Sequence, residues 1–493
     1  MASQWLQKLR SFSNQSRLRT ALVGFSGTVL ATSAIVAGVV VVLRQLGTWQ
    51  SYELGAYDTF LRSRPSPGLD DRLLVVGISE VDIQTRNEYP IKDGTLAEVL
   101  QKLEANQPLA IGIDIARDFP YEPGHAAFMQ QLQTSDRIIA SCVLSSFEEP
   151  GVAPPPDMPP ERVAFADFSR DPDGIVRRST LIAAPAPSQV PIIKPSICSD
   201  TQSDNNQLVS LSLSLALRYL DARGVLQEPN PDQNLQLGST VFTPLNAQSG
   251  GYQTIDPGDY QVMLNYRKPT DIRQVSLLDV LQGRVDPGWV RDRIVLIGYT
   301  SQIAKDSFLT PFSANSVGIQ SMPGVMIHAQ AVSQILSAVL DRRPLIWYWP
   351  AVVEILWIWG WAILGGAIAW TIRKTLLFLL LEGVGLVGLV ALCYLLFLQG
   401  GWIPVIPPAI ALVTSAIGVI LVDRAHKGGY TQAVYEQVRE QVQVILKPKI
   451  EIDEEKRAKQ VAEITESGYF QDLVQRAKVI REQRAASQKN EIS

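Results

Sequence analysis

Two aspartates, Asp114 and Asp306, come first among the residues able to do chemistry, because an acid pair can in principle carry out hydrolytic work. Carboxylate pairs in loops are far commoner than catalytic dyads, so no enzymatic activity is expected of them. The carboxyl ends of strands are where α/β sheets bind ligands. That rule singles out Ser79 and Glu80, Asp114, and Tyr299 with Thr300, while Asp306 and Thr310 lie nearby in sequence. Asp114 could instead cap a neighbouring helix, and Thr310-Pro311 could be a plain turn. His328, near the start of an expected helix, reads as a packed residue or as a ligand contact. Arg177 and Arg178 alternate across an expected strand, so at most one of them should face a pocket.

Other chemistries are missing. No Walker A segment, G-x-G-x-x-G, H-E-x-x-H or G-x-S-x-G occurs, so no cofactor is implied. The three histidines, His125, His328 and His426, are far apart in sequence, and Cys142, Cys198 and Cys393 lack metal-type spacing, so no metal is expected. A net charge of -4 over 493 residues gives no electrostatic case for nucleic acid. Cys142 and Cys198 fall in one region where a disulfide is chemically permitted; sequence leaves their pairing open.

The elements that position these residues divide into apolar spans and a globular remainder. Residues 20–43 carry no charge from Thr20 to Leu43, long enough to cross a bilayer, with Lys8, Arg10, Arg17 and Arg19 before them in residues 1–19. Further spans are expected at 345–371, 375–398 and 402–422. Arg373 and Lys374 follow the second, and Arg424 and Lys427 the fourth, so both termini are expected in the cytoplasm and residues 44–344 outside it. Glu354 and Glu382 are intramembrane acids, placed about 13 Å from the outer end and about 10 Å from the inner end of their helices. Each is either a coupling element or a protonated, hydrogen-bonded acid between helices, and the second reading is preferred. Gly360, Gly365, Gly366, Gly383, Gly385 and Gly388 suit close helix packing, and Pro407-Pro408 is expected to bend the last span.

In the outer region, Leu73–Ile78 reads as a strand, Thr95-x-x-Glu98 as a capping box before a helix, Ala110–Asp114 as a strand, Pro123–Gln133 as a helix and Arg137–Val143 as a strand. This β-α-β-α-β order implies parallel pairing. Pro-rich stretches at 149–160 and 184–206 read as surface loops, with an Asp171-Pro-Asp-Gly174 turn between them. Ser276-x-x-Asp279 caps a short helix, Arg293–Gly298 is a buried strand, and Val325–Leu340 is a long helix aimed at the second span.

Taken together, these segments resemble the second class of CHASE domains, extracellular sensory modules associated with bacterial cyclases and histidine kinases. The pieces that carry the resemblance are Tyr57-Asp58, Leu73-Leu-Val-Val-Gly77, Ala110-Ile-Gly-Ile-Asp114, Asp171-Pro-Asp-Gly-Ile-Val-Arg-Arg178, Leu264-Asn-Tyr-Arg267, Asp279-Val-Leu-Gln-Gly283, Arg293-Ile-Val-Leu-Ile-Gly298, Asp306 with Thr310-Pro311, and Pro323-Gly-Val-Met-Ile-His-Ala329. One helix before and three after is also the family's layout. Three places depart from it: Ser79 stands where an acid is common, Tyr89-Pro-Ile-Lys92 is a loose form of a Trp-Pro-x-Arg segment, and, as the largest departure, no recognisable effector domain follows the last span where relatives usually continue into a kinase or cyclase.

The resemblance implies an α/β extracytoplasmic sensor domain with a mainly parallel sheet, plus four transmembrane α-helices, in a bacterial plasma membrane; the apolar stripes beyond the last span, and not the resemblance, add a short helical cytoplasmic tail. Residues 423–493 are too few for a kinase or cyclase. Stripes such as Val434, Val438, Val442 and Ile445, then Phe470, Leu473, Val474, Ala477 and Ile480, suit a homodimer or docking of a separate signalling protein. A small molecule or protein at the outer domain and membrane lipid complete the expected partners. The alternative is a non-sensing scaffold; a transporter built on Glu354 and Glu382, or an outer-face hydrolase, ranks lower.

Overall fold

The computed structural model describes residues 27–203, 206–253, 255–256, 258–315 and 318–427, together with 468, 472, 475–478 and 481. The basic residues before the first span and nearly all of the two apolar tail stripes lie outside these described residues. Two units separate, 1–420 and 421–493, and the architecture below is that of the first.

An apolar helix α1 (Gly27–Gln45) is followed by α2 (Gln50–Ser63). The α/β domain then begins with β1 (Leu73–Ile78), α3 (Glu80–Arg86), α4 (Asp93–Glu104), β2 (Ala110–Asp114), α5 (His125–Thr134), β3 (Ile138–Cys142) and β4 (Val163–Phe165). After β5 (Arg178–Ala183), β6 (Leu208–Val209) and α6 (Leu211–Asp221) come the short β7 (Gln227–Glu228), β8 (Leu235–Leu237) and β9 (Thr240–Phe242). The domain closes with β10 (Tyr260–Met263), β11 (Arg273–Ser276), α7 (Leu277–Leu281), β12 (Ile294–Tyr299) and α8 (Gly324–Leu340). Three further helices follow: α9 (Ala351–Thr371), α10 (Thr375–Leu398) and α11 (Ile406–Lys427).

Six strands form one wholly parallel sheet in the order β11-β1-β12-β2-β3-β4. Burial on both faces explains the unbroken apolar runs of its central strands. Within β1 the faces alternate: Leu73 and Val75 pack under α6 and α8, whereas Leu74, Val76 and Ile78 join α4 and α7 on the other face. α6 comes close because β2 has Gly112 beneath it; a Cβ there would lie 2.6 Å from a Leu215 methyl. A three-stranded antiparallel sheet, β10-β5-β6, adjoins this core. The mainly parallel α/β fold is therefore as the sequence indicated, but β12 inserts between β1 and β2, which strand order in the chain does not reveal.

Cys142 and Cys198 form a disulfide, tying the end of β3 to the second Pro-rich loop. The Thr95 capping box is not realised. α4 starts at Asp93, and the Thr95 hydroxyl instead donates to Glu88 Oε2 at 2.8 Å.

Among the described residues, four helices are long and apolar enough to cross a membrane. α9 starts at Ala351 rather than Leu345, because Pro350 favours extended backbone just before it and takes the N-cap. Residues around Trp347 are extended, and Trp347 exchanges backbone hydrogen bonds with Gly400 and Trp402. α11 likewise starts at Ile406, which puts Pro407 and Pro408 in its first turn, where missing N–H groups cost nothing, instead of at a bend. Of the six span glycines, Gly365 is the one that packing demands: a Cβ there would collide with the Leu412 carbonyl of α11. Gly366 is tight against Ser33 and Ser415, while Gly360, Gly383 and Gly388 face open space.

Candidate functional site

Parallel pairing brings the carboxyl ends of β1, β12, β2 and β3 to one edge. In register, Ile78 lies beside Tyr299, and Gly298 beside Asp114. A crevice of about 510 Å³ opens beyond this edge, lined among others by Asp114, Arg117, Asp167, Phe168, Tyr299 and Asp306. Its size suits a small molecule. Another cleft of about 250 Å³, near Met263 and Trp347, has no carboxylate, amine or imidazole in its wall.

Asp114 ends β2 with its side chain only 9% exposed. Its Oδ2 is buried and has no hydrogen-bond partner among the described residues. The imidazole of His328, from the second turn of α8, lies 3.8 Å from Asp114 Oδ1 and stacks at 4.4 Å on the Phe168 ring. Its Nδ1 meets the Ser212 hydroxyl at 2.9 Å. Burial pushes the His328 pKa down to about 3, so the ring is neutral and offers Asp114 no charge. Asp306 is adjacent; a Cβ on Gly324 would lie 2.7 Å from its Oδ1, so this carboxylate rests on the N-terminus of α8. Burial, and then the charge of Asp306, push Asp114 well above the usual carboxylate range. Burial raises Asp306 itself to about 6.

The remaining polar groups of the wall are braced. Arg117 pairs with Asp93 at 3.2 Å, donates to the Ile91 carbonyl at 2.6 Å, and lies over the Tyr121 ring. His125 Nδ1 meets the other Asp93 oxygen at 2.7 Å. Asp167 accepts from the Leu144 amide at 3.0 Å, and burial raises its pKa to about 6.

The CHASE2 domain family matches this chain over residues 35–367, from α1 to near the end of α9. The chain belongs to the CHASE2 family. It is thus a protein with an extracellular-type sensory domain, in keeping with its four apolar helices. No curated protein and no solved structure matches it significantly.

Within this CHASE2 domain the expected ligand residues separate. Asp114, Tyr299 and Asp306 line the crevice, and His328 backs it through Asp114 and Phe168. Ser79 is occupied as the N-cap of α3, accepting from the Asp82 amide, and Glu80 accepts from the Ser301 hydroxyl at 2.6 Å. Thr300 turns back over Gly77, its hydroxyl buried without a partner among the described residues. Thr310 is held by Ser313 and borders a different cleft. Neither Arg177 nor Arg178 lines the crevice; both guanidinium groups converge on Asp171, contrary to strict alternation, because long side chains bend to a buried carboxylate. Sequence reasoning missed Arg117 and Asp167. Asp167 follows the carboxyl end of β4, so the strand-end rule would have found it had residues 163–165 been read as a strand.

α8 carries the crevice toward the membrane helices. Val325, its second residue, packs on Gly298 beside Asp114. Along its length Ser333 accepts from Arg267 at 2.7 Å and donates to Asp70 at 2.6 Å, while Gln334 accepts from the Asn265 amide at 2.7 Å. At about 1.5 Å per residue it spans roughly 25 Å. Beyond it the membrane helices meet α2 and a loop of the domain. Arg44 of α1 pairs with Glu354 at 2.5 Å and donates to the Gly250 carbonyl at 2.9 Å. Glu354 therefore lies in the first turn of α9, ion-paired, and not mid-span. Glu53 of α2 accepts from the amides of Val405 and Ile406, both at 2.9 Å, capping α11. Trp402 packs against Tyr57 and Tyr252. Glu382 is 7% exposed on α10, and neither of its oxygens has a hydrogen-bond partner among the described residues.

Proposed function

We propose that this CHASE2 protein is a sensor of a bacterial plasma membrane. Its α/β domain reads a ligand outside the cell and its tail, 423–493, relays the state to a separate cytoplasmic protein. The observation that supports this most is the placement of Asp306 against the first turn of α8 and of Asp114 beside His328 in its second. α8 leads within residues 341–350 into the membrane helix α9. A ligand that moves either carboxylate acts on the end of a rigid lever whose other end enters the bilayer. Arg44, Glu53 and Trp402 give α1, α2, α9 and α11 a common joint at that end. Both termini are then cytoplasmic, the exposed leucines and valines of α10 face lipid, and two copies pair through the tail.

Orientation is tested by placing a cysteine at the exposed Thr201 and labelling intact cells with a membrane-impermeant thiol reagent. Thr201→Cys should label without cell lysis, and labelling only after lysis would reverse the topology. The relay is tested by in-membrane crosslinking and affinity purification of the full chain beside a version ending at Lys427. A regulator recovered only with the intact tail is the expected result. A complex that survives tail deletion would favour the scaffold reading instead.

A further inference from the structure

We propose that the crevice at the strand ends takes a small organic cation, an ammonium or guanidinium compound seated between Asp114 and Asp306 against the aromatic wall. The inference deepens the sensor reading by naming the ligand class of the same site.

Charge is the first argument. Asp114 is nine-tenths buried and lines the cavity, and no cation of the protein pairs with it among the described residues. A buried carboxylate left in this way is costly unless something binds it. Around it the lining adds Asp306, Asp167 and Glu149. Of the basic groups facing the space, Arg117 is neutralised by Asp93 and Arg170 lies over the Phe308 ring at 4.9 Å, while His328 behind the wall is neutral. The acids outnumber the bases, which opposes an anionic ligand.

Surface chemistry is the second. Tyr89, Tyr299 and Phe168 present aromatic carbon to the cavity, and two rings of the same wall, Tyr121 and Phe308, already carry stacked guanidinium groups. Aromatic faces attract organic cations in this way. A metal ion fits less well, since no three His, Cys, Asp or Glu side chains converge on a metal position among the described residues. The volume of about 510 Å³ also exceeds what a bare ion fills and suits a small molecule.

Binding would be proton-linked. Burial holds the acid pair toward its protonated form, raising Asp306 to about 6 and Asp114 well above the usual carboxylate range, so a cation must displace protons to bind. Affinity should rise as pH increases through that range.

The test is calorimetric titration of the full-length protein in lipid nanodiscs with putrescine and with agmatine, beside succinate and magnesium chloride. Saturable amine binding is expected, weakened at least tenfold in Asp114→Asn and in Asp306→Asn, weakened at about pH 5.5, and unchanged in the surface variant Arg284→Ala. Absence of saturable binding by both amines, or equal binding by both aspartate variants, would overturn the proposal. Saturable succinate or magnesium binding without amine binding would overturn it too, while leaving the crevice as a sensory site. Tail-dependent capture of a partner tests the sensor reading independently, so the two can fail separately.

Discussion

Asp171 and Asp114 are both aspartates removed from water, in opposite electrostatic circumstances. Asp171 is fully covered and meets Arg177 Nη1 at 2.7 Å, Arg178 Nε at 2.9 Å and the Tyr252 hydroxyl at 2.8 Å. Arg177, 1% exposed, also forks onto Asp58 with two bonds of 2.8 Å and reaches Asp173. Every charge in that cluster is answered. Asp114 has a neutral imidazole at 3.8 Å and a second acid beside it. The same residue type, comparably buried, is a frame member in one place and an open valence in the other. The difference lies in where each cluster sits: the first joins α2, β5 and the Asp171–Gly174 turn inside the core, while the second borders a cavity. Asp171 is matched within the chain, and Asp114 is not.

The contrast breaks most visibly at Arg177. Replacing it by Met leaves Asp58 and Asp171 buried without their main counter-charge, which should cost about 3–5 kcal/mol. Limited proteolysis of membranes carrying Arg177→Met should show the α/β domain cut under conditions where the parent resists. An equally resistant variant would mean that the cluster is not a frame. Next in size is the Cys142–Cys198 bridge, whose partners are 56 residues apart. Removing both thiols with Ser should cost about 2–4 kcal/mol through the freed unfolded chain. Thermal melts of the double variant in nanodiscs check this, and Cys142→Ser alone should fall by a similar amount.

Asp114→Asn should behave in the reverse sense. The acid pair has folded pKa values raised above the unfolded ones, so its contribution favours the folded state below about pH 4 and is lost as pH climbs through about 6 and beyond. An amide at 114 removes much of that loss. The variant should therefore come nearest to the parent at the acid end and exceed it increasingly as pH rises toward about 8. His328, with its pKa lowered from 6.5 to about 3, adds an opposite slope on the acid side, so the comparison between the two proteins is read above about pH 6, where this slope ends. Melting curves at about pH 6 and 8 decide it. A difference independent of pH would show that Asp114 is compensated after all.

How much of this was readable beforehand depends on range. The parallel sheet, the four apolar helices and the strand-end position of Asp114 and Tyr299 follow from periodicity and from local order. The insertion of β12 between β1 and β2 does not, because no local signal fixes which strand a late segment joins. Ser79 shows the limit of the strand-end rule: Ser-x-x-Asp at 79–82 is a capping box, and that local bond claims the side chain before any ligand can. Alternation describes where the Cβ atoms of Arg177 and Arg178 point and does not reveal that both guanidinium groups reach one carboxylate, Asp171, several ångströms beyond. The later start of α9 is likewise not legible locally; it puts Glu354 in the first turn of that helix, and its pairing with Arg44 joins residues 310 apart in sequence, which no local signal reveals.

The smallest expected effect tests the same distinction at one atom. Thr300 also follows a strand end and carries a buried, unpartnered polar group, its Oγ1, so by the criterion applied to Asp114 it would belong to the site. Two facts set it apart. It is uncharged, so the cost of leaving it unmatched is small, and it packs over Gly77, where its Cγ2 and Oγ1 lie 2.7 and 2.8 Å from where a Cβ would be, away from the crevice lining. Thr300→Val keeps the shape and removes the hydroxyl. Stability should change by less than about 1 kcal/mol, in the stabilising direction if the hydroxyl is truly unmatched. Agmatine affinity should not change. A loss of affinity in Thr300→Val with stability intact would move the ligand from the Asp114 side of the sheet edge to the β1 side, and the division between frame and site would have to be redrawn there.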